Sequence, residues 1–189
     1  FIGSSPDQVT SVMKLNLSSL VVSILKKSSP VQVNRDDLSI SRTIEYTTSD
    51  GGCAYAHFYF PNNSKFEGPE GKKPPLIVMA HGGPTSQAST AMSLAKQFWT
   101  SQGYALLDVD YRGSTGYGRN YRDALLGKWG LVDAADIADG VRYLITQGMV
   151  NPSQIAIRGG SAGGYAVRRA LTEFPDLFQC GASYYGIGD

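Results

Sequence analysis

From Pro74 onward the chain alternates short apolar runs with stretches of helical character, and this alternation constrains the fold more than any other feature. Strands separated by helices build a parallel sheet with its faces covered. The expected strands are Leu76–Ala80, Tyr104–Val109, Gln154–Arg158 and Gln179–Tyr184. The expected helices run about Ser89–Gln102, Gly118–Leu126, Ala134–Gln147 and Ala162–Phe174. Asp133 stands where a side-chain oxygen caps the third helix, whose Ile137, Val141 and Leu144 recur every three or four residues as a buried stripe.

Upstream the pattern differs. Residues 8–17 alternate apolar and polar, Ser18-Ser19 punctuate, and Leu20–Leu25 form a second run, the signature of an antiparallel hairpin. Lys26–Ser39 is polar and contains a proline, as expected of a connector. A second hairpin is expected from Arg42–Thr48 and Ala54–Phe60, joined by Ser49-Asp50-Gly51-Gly52, whose Asp-Gly pair suits the positive φ of a tight turn. The division expected is therefore 1–25, a linker at 26–39, and one domain over 40–189.

Composition removes several partners. Hydrophobic residues make up 42% of the 189 residues and charged residues 17%, enough to bury a core. Seventeen Lys and Arg against sixteen Asp and Glu leave a net charge of +1, so nucleic acid and anionic membranes are not expected as partners. The longest apolar runs fall far short of the 18 or so residues that cross a bilayer. Cys53 and Cys180 have no metal-ligand spacing, and isolated thiols point to a reducing compartment, the cytoplasm. No metal and no organic cofactor is expected.

The residues able to carry chemistry lie at strand ends. Gly159-Gly160-Ser161-Ala162-Gly163 fits G-x-S-x-G and falls between the strand Ile155–Ile157 and a helix beginning at Ala162. A serine on such a sharp turn projects its Oγ from the sheet edge, with Gly159, Gly160 and Gly163 avoiding Cβ clashes. Ser161 is the candidate nucleophile, and the Ala162 amide at the helix start can receive negative charge. The alternative is a glycine-rich turn bearing an ordinary serine. His81-Gly82-Gly83-Pro84 follows the strand ending at Ala80 and faces the same edge, so Gly83 is the expected second oxyanion donor. His81 belongs to that turn and is expected in a structural or donor role, because hydrolases of this build place the base after the nucleophile. His57, between aromatic residues of a strand, is expected to be packed or half-exposed.

A third loop, Asp110–Gly118, is rich in glycine, but its glycines stand in the wrong order for a dinucleotide fingerprint. Gly127-Lys128-Trp129 lacks the hydroxyl residue of a phosphate loop. Nucleotide binding is not expected, and Asp110 and Arg112 are expected to pair with each other and fix the loop.

Taken in order, Pro74-Pro75-Leu76, His81-Gly82-Gly83-Pro84, Asp110-Tyr111-Arg112-Gly113-Ser114, Gly116-Tyr117-Gly118-Arg119, Trp129-Gly130 and Arg158–Tyr165 resemble the prolyl oligopeptidase family of serine peptidases, especially its dipeptidyl and acylaminoacyl peptidase branch. The resemblance implies the amino-terminal part of an α/β-hydrolase domain with a mostly parallel sheet. It also implies that residues 1 to about 25 are the last strands of a β-propeller and that 42–60 opens the hydrolase domain. It further implies hydrolysis of short peptides by a Ser-Asp-His triad, with Ser161 as nucleophile and Ala162 and Gly83 as oxyanion donors.

Two departures from the family stand out. Its Asp and His lie well downstream of the nucleophile, whereas residues 162–189 hold no histidine and only Asp176 and Asp189 as aspartates. Asp176 lies in a Phe174-Pro175-Asp176 turn that corresponds to a loop of the family and not to its acid. Arg168 replaces an apolar residue behind the nucleophile and must be exposed or paired. With Phe at position 1 and an apolar run just before Asp189, the expectation is a chain cut at both ends. Such a chain would be nearly inert alone and would expose an apolar edge near Cys180. Three readings follow: a portion of a serine peptidase, a non-catalytic fragment or pseudoenzyme, and a carboxylesterase of the same fold.

Overall fold

The computed structural model describes residues 1–188; Asp189, one of the two acids after Ser161, lies outside the described residues. The amino-terminal segment forms a three-stranded antiparallel sheet of β1 (Ile2–Ser5), β2 (Gln8–Leu15) and β3 (Val22–Lys27), in that spatial order. The expected hairpin is β2 and β3. Strand β1 is additional, and its four residues, Ile-Gly-Ser-Ser, carry too little alternation to announce it; pairing of Ile2 with Val12 builds it. The connector that follows is irregular apart from a 3₁₀ turn at Arg35–Asp37, where the Asn34 side chain accepts from the Asp36 amide at 3.3 Å.

A six-stranded sheet follows, built from β4 (Arg42–Thr47), β5 (Cys53–Tyr59), β6 (Leu76–Ala80), β7 (Ala105–Asp110), β8 (Ile155–Gly160) and β9 (Cys180–Tyr184). Its order is β4-β5-β7-β6-β8-β9, antiparallel across β4, β5 and β7 and parallel from β7 to β9. The β4–β5 hairpin turns at Gly51, whose φ of +83° suits glycine. Among the described residues β9 forms one edge, and all five of its residues are exposed.

The helices are α1 (Leu94–Ser101), α2 (Arg119–Asp123), α3 (Val132–Thr146) and α4 (Ala162–Glu173); α1, α3 and α4 pack on this sheet, and α2 has no buried residue. The main core lies between one sheet face and α3 and α4, where Phe58, Val78, Leu107 and Ile157 meet Ile137, Val141, Leu144 and Val167, all at most 1% exposed. Each such side chain contributes on the order of 1.5–3 kcal/mol by leaving water. A smaller cluster of Tyr59, Ile77 and Leu106 fills the other face, with Trp99 of α1 packed against it. No described helix is long and apolar enough to cross a membrane.

Two expectations about helix starts need correction. Helix α1 begins at Leu94, capped by Ser93, and not at Ser89. Residues before it are held by partners elsewhere: Ala88 N donates to Asp110 Oδ1 at 2.6 Å, Met92 N to Ser5 O at 2.9 Å, and Lys96 Nζ to Ser89 O at 2.6 Å. These bonds outweigh the local helical preference. Asp133 does not occupy the cap position of α3, because the helix starts earlier, at Val132. Fully buried in the first turn, Asp133 accepts from Gly130 N at 2.6 Å through Oδ1, while Oδ2 has no partner among the described residues. Burial raises its carboxyl above the ordinary range despite these backbone donors.

Candidate active site

Strands β6 and β8 are parallel neighbours, with Ala80 level with Gly159, so the turns that leave them emerge side by side. After β8 the chain bends sharply at Ser161, φ 55° and ψ −122°, before entering α4. For a serine this left-handed φ costs of order 1–3 kcal/mol and persists because its surroundings determine it. The Ser161 amide donates to Tyr184 O at 3.0 Å, and the Ser161 carbonyl accepts from Tyr165 N at 3.1 Å.

The glycines around the bend are required by close backbone approach. A Cβ on Gly159 would lie 2.5 Å from Gly163 O and 2.8 Å from Ala80 O; one on Gly160 would lie 3.0 Å from the Tyr185 ring. The Ser161 side chain does not cap α4, and its Oγ has no hydrogen-bond partner among the described residues. Ala162 N–H is the first amide of α4, and neither it nor Gly83 N–H donates to a described residue. The glycine turn after β6 abuts the bend: a Cβ on Gly82 would lie 3.4 Å from Ser161 Cβ and 3.1 Å from Gly160 O. Gly83 takes a φ of +52° and its carbonyl accepts from Ser86 N at 2.5 Å, closing the turn.

The His81 ring turns toward the loop after β7. Its Nε2 lies 2.8 Å from Ser114 Oγ, its Nδ1 lies 3.0 Å from Gly82 O, and it stacks on Tyr111 at a centroid distance of 4.4 Å. The expected pairing of Asp110 with Arg112 does not form. Arg112 instead donates to Asp136 of α3 through Nε at 3.1 Å and Nη2 at 2.7 Å, and to Asp50 through Nη1 at 2.7 Å. Asp110 is the last residue of β7, whereas Arg112 lies in the loop beyond it, where its side chain reaches α3 and the β4–β5 turn instead. Asp110 accepts from Ala88 N at 2.6 Å and Tyr117 Oη at 2.8 Å and lies 3.3 Å from His57 Nε2. Burial pushes its carboxyl up, but these donors outweigh burial and hold it below the ordinary value. His57 is packed, the first of the two expected states, at 8% exposure, with Nδ1 3.1 Å from Thr43 Oγ1.

The Asp110–His57 contact and the Tyr111 stack on His81 were not legible in the sequence. Their only signal is that each pair lies on neighbouring strands or turns, which becomes visible once the strand order is known. Arg168 is exposed, and its guanidinium donates to the Ile187 carbonyl. Asp176 is exposed in the turn beyond α4, whose twelve residues carry the chain about 18 Å away from Ser161. A cavity of about 590 Å³ borders the bend and is lined by His81, Arg158, Gly160, Tyr184 and Tyr185. A second, of about 460 Å³, is lined by His57, Gln87, Asp110 and Tyr117. Among the described residues no group of three His, Cys, Asp or Glu converges as a metal site.

A serine on a strand-to-helix bend at the carboxyl edge of a parallel sheet, abutting a glycine turn from the neighbouring strand, defines an α/β-hydrolase. Residues 90–189 match the Prolyl oligopeptidase family, and the chain belongs to that family. It is 40% identical to dipeptidyl aminopeptidase BIII of Pseudoxanthomonas mexicana over 59% of this chain and 16% of that protein. It is 38% identical to the acylamino-acid-releasing enzyme of Arabidopsis thaliana over 60% of this chain and 15% of that one. The solved puromycin-hydrolyzing peptidase of Mycobacterium tuberculosis superposes on all of this chain and 29% of its own, with a TM-score of 0.96 and 38% identity. The chain therefore spans about a sixth of the curated relatives it matches and under a third of that solved chain.

Proposed function

We propose that this chain belongs to a serine peptidase that hydrolyses short peptides or acylpeptides through an acyl-enzyme at Ser161. The observation that carries the reading is the conformation of Ser161, strained, half-buried and with its hydroxyl uncommitted, beside the two free amides of Ala162 and Gly83. In this reading Ser161 Oγ attacks the substrate carbonyl and its proton passes to a base. The two amides hold the developing oxyanion, and the amine leaves with that proton. Water then attacks the ester, releasing the acid and restoring the serine. The family resemblance implies a histidine base and an aspartate downstream of the nucleophile, and residues 162–189 contain no histidine.

The substrate class draws support from similar proteins, which include a dipeptidyl aminopeptidase, acylamino-acid-releasing enzymes and a puromycin hydrolase crystallised with PGG. The same reading makes residues 1–25 the last propeller strands, 26–39 a linker and 40–189 hydrolase, working in a reducing, cytoplasmic setting. In the full-length protein a fluorophosphonate probe should label Ser161, and Ser161→Ala should abolish labelling and lower turnover by up to about 10⁶-fold. Equal labelling of that variant would remove the assignment. Residues 1–189 alone should label weakly or not at all.

A further inference from the structure

We infer that Arg158 is a specificity-determining residue that draws a substrate carboxylate into the cavity beside Ser161, so that acidic short peptides are favoured. The inference rests on Ser161 being the nucleophile proposed above. Arg158 lies on β8, where Ile155, Ile157 and Gly159 face the core beneath α3 and α4, and Ala156, Arg158 and Gly160 face the opposite side. Arg158 and Gly160 therefore share a face, about 7 Å apart along the strand. Both line the cavity of about 590 Å³ at the bend, and Gly160 directly precedes Ser161.

The sheet offers this guanidinium no anion. Register sets His57, Asp108, Met79, Arg158 and Ala182 level across five strands, so the immediate neighbours of Arg158, Met79 and Ala182, carry no charge. Asp108 lies two strands away, at about 10 Å. Among the described residues it is the only acid lining the cavity, and Lys96 Nζ already holds it at 2.6 Å. Lys96 and Asp108 cancel, which leaves the cavity with the charge of Arg158. The half-buried Arg158 makes no hydrogen bond or ion pair with a described residue; its guanidinium carbon lies 5.1 Å from the centroid of the Tyr184 ring. That contact attracts the cation without using its five N–H donors. Partial desolvation of an unpaired cation is unfavourable, and an entering carboxylate offsets it. The planar fork suits this group in particular, because it can give two parallel N–H···O bonds to the two carboxylate oxygens. A peptide carries such a group at its free C terminus or on an Asp or Glu side chain.

The test uses the full-length protein and two pairs of short peptides. One pair differs only in a free carboxylate or a carboxamide at the C terminus, the other only in Glu or Gln beside the scissile bond. A hydrogen bond to a charged group is worth about 10-fold to 100-fold in affinity. In the wild type the acidic member of one pair should therefore exceed its amide partner by about tenfold or more in kcat/KM, and that pair identifies the source of the carboxylate. Arg158→Met should bring the ratio within about threefold of one. A wild type with no preference in either pair would overturn the inference. So would a ratio that Arg158→Met leaves unchanged, whatever the loss in turnover, because a purely structural arginine affects acid and amide alike. Should Arg158→Met fail to fold, Arg158→Gln is read by the same ratio; if neither folds, Arg158 belongs to the fold and the inference falls. A wild-type protein that fails to label at Ser161 would defeat the nucleophile reading and this inference together; labelling with equal turnover of acid and amide would defeat the inference only.

Discussion

Gly163 and Ala80 meet backbone to backbone: a β-carbon on Gly163 would fall inside the contact distance of the Ala80 carbonyl oxygen and 2.7 Å from His81 O. The first turn of α4 is thereby seated directly on the end of β6, which brings the Ser161 bend against the glycine turn that follows Ala80.

Gly163→Ala is therefore expected to push these elements apart. Overpacking of this kind costs about 1–3 kcal/mol, and an ångström of misplacement at a reacting centre costs about 10²-fold in rate. Thermal unfolding and turnover of the full-length variant measure both; wild-type values in each would show that the contact is not a constraint.

Arg112 and Asp136 form a largely buried, bidentate pair, and Arg112 N adds a further bond to Asp136 Oδ2 at 2.7 Å. Removing the cation strands a fully buried carboxylate, so Arg112→Ala should lower stability by about 3–5 kcal/mol. Arg112→Lys should recover only part of this, because an ammonium cannot reproduce the fork. In a double-mutant cycle, Arg112→Ala with Asp136→Ala should lose clearly less than the two single losses combined.

Lys96 joins α1 to the sheet through Asp108 Oδ2 at 2.6 Å and holds Ser89 O at 2.6 Å, with both charged side chains nearly buried. Lys96→Met should cost about 3–5 kcal/mol by leaving Asp108 unpaired, and Asp108→Leu added to it should restore much of the loss. Denaturant midpoints check the order. A single variant as stable as the wild type would refute the role.

Acid stability follows from Asp110. Burial raises its carboxyl, but His57, Ala88 N and Tyr117 more than compensate, and the folded value lies below the ordinary 3.8. The folded state thus binds this proton less readily than the unfolded state, so the stabilisation is present above about pH 4 and is lost as pH falls through the lower folded value. Asp110→Asn should be less stable than wild type at pH 7, with the gap narrowing by about pH 3. Thermal midpoints at the two pH values read it, and a constant gap would contradict it.

Legibility varied with how local each cause was. Strand β6 is a continuous apolar run because both its faces are covered, and Leu76–Ala80 could be bounded to the residue. The α3 stripe of Ile137, Val141 and Leu144 was equally plain, since helical period alone brings those side chains to one face. The start of α1 was not, because Ser5, Asp110 and Lys96 hold residues 88–92 from outside the segment.

The order of residues along the chain by itself marked the strand–turn–helix at Ser161 and the glycine turn at 82–83, because runs of glycine beside an apolar strand announce both, although the backbone those glycines admit belongs to the neighbouring strand. Only the tertiary structure decided that Arg112 reaches across 24 positions to Asp136, that Asp110 takes His57, and that Ser114 and Tyr111 clamp His81. Those choices depend on which strands lie side by side. Strand order is set by the burial of the whole sheet, which no single segment encodes.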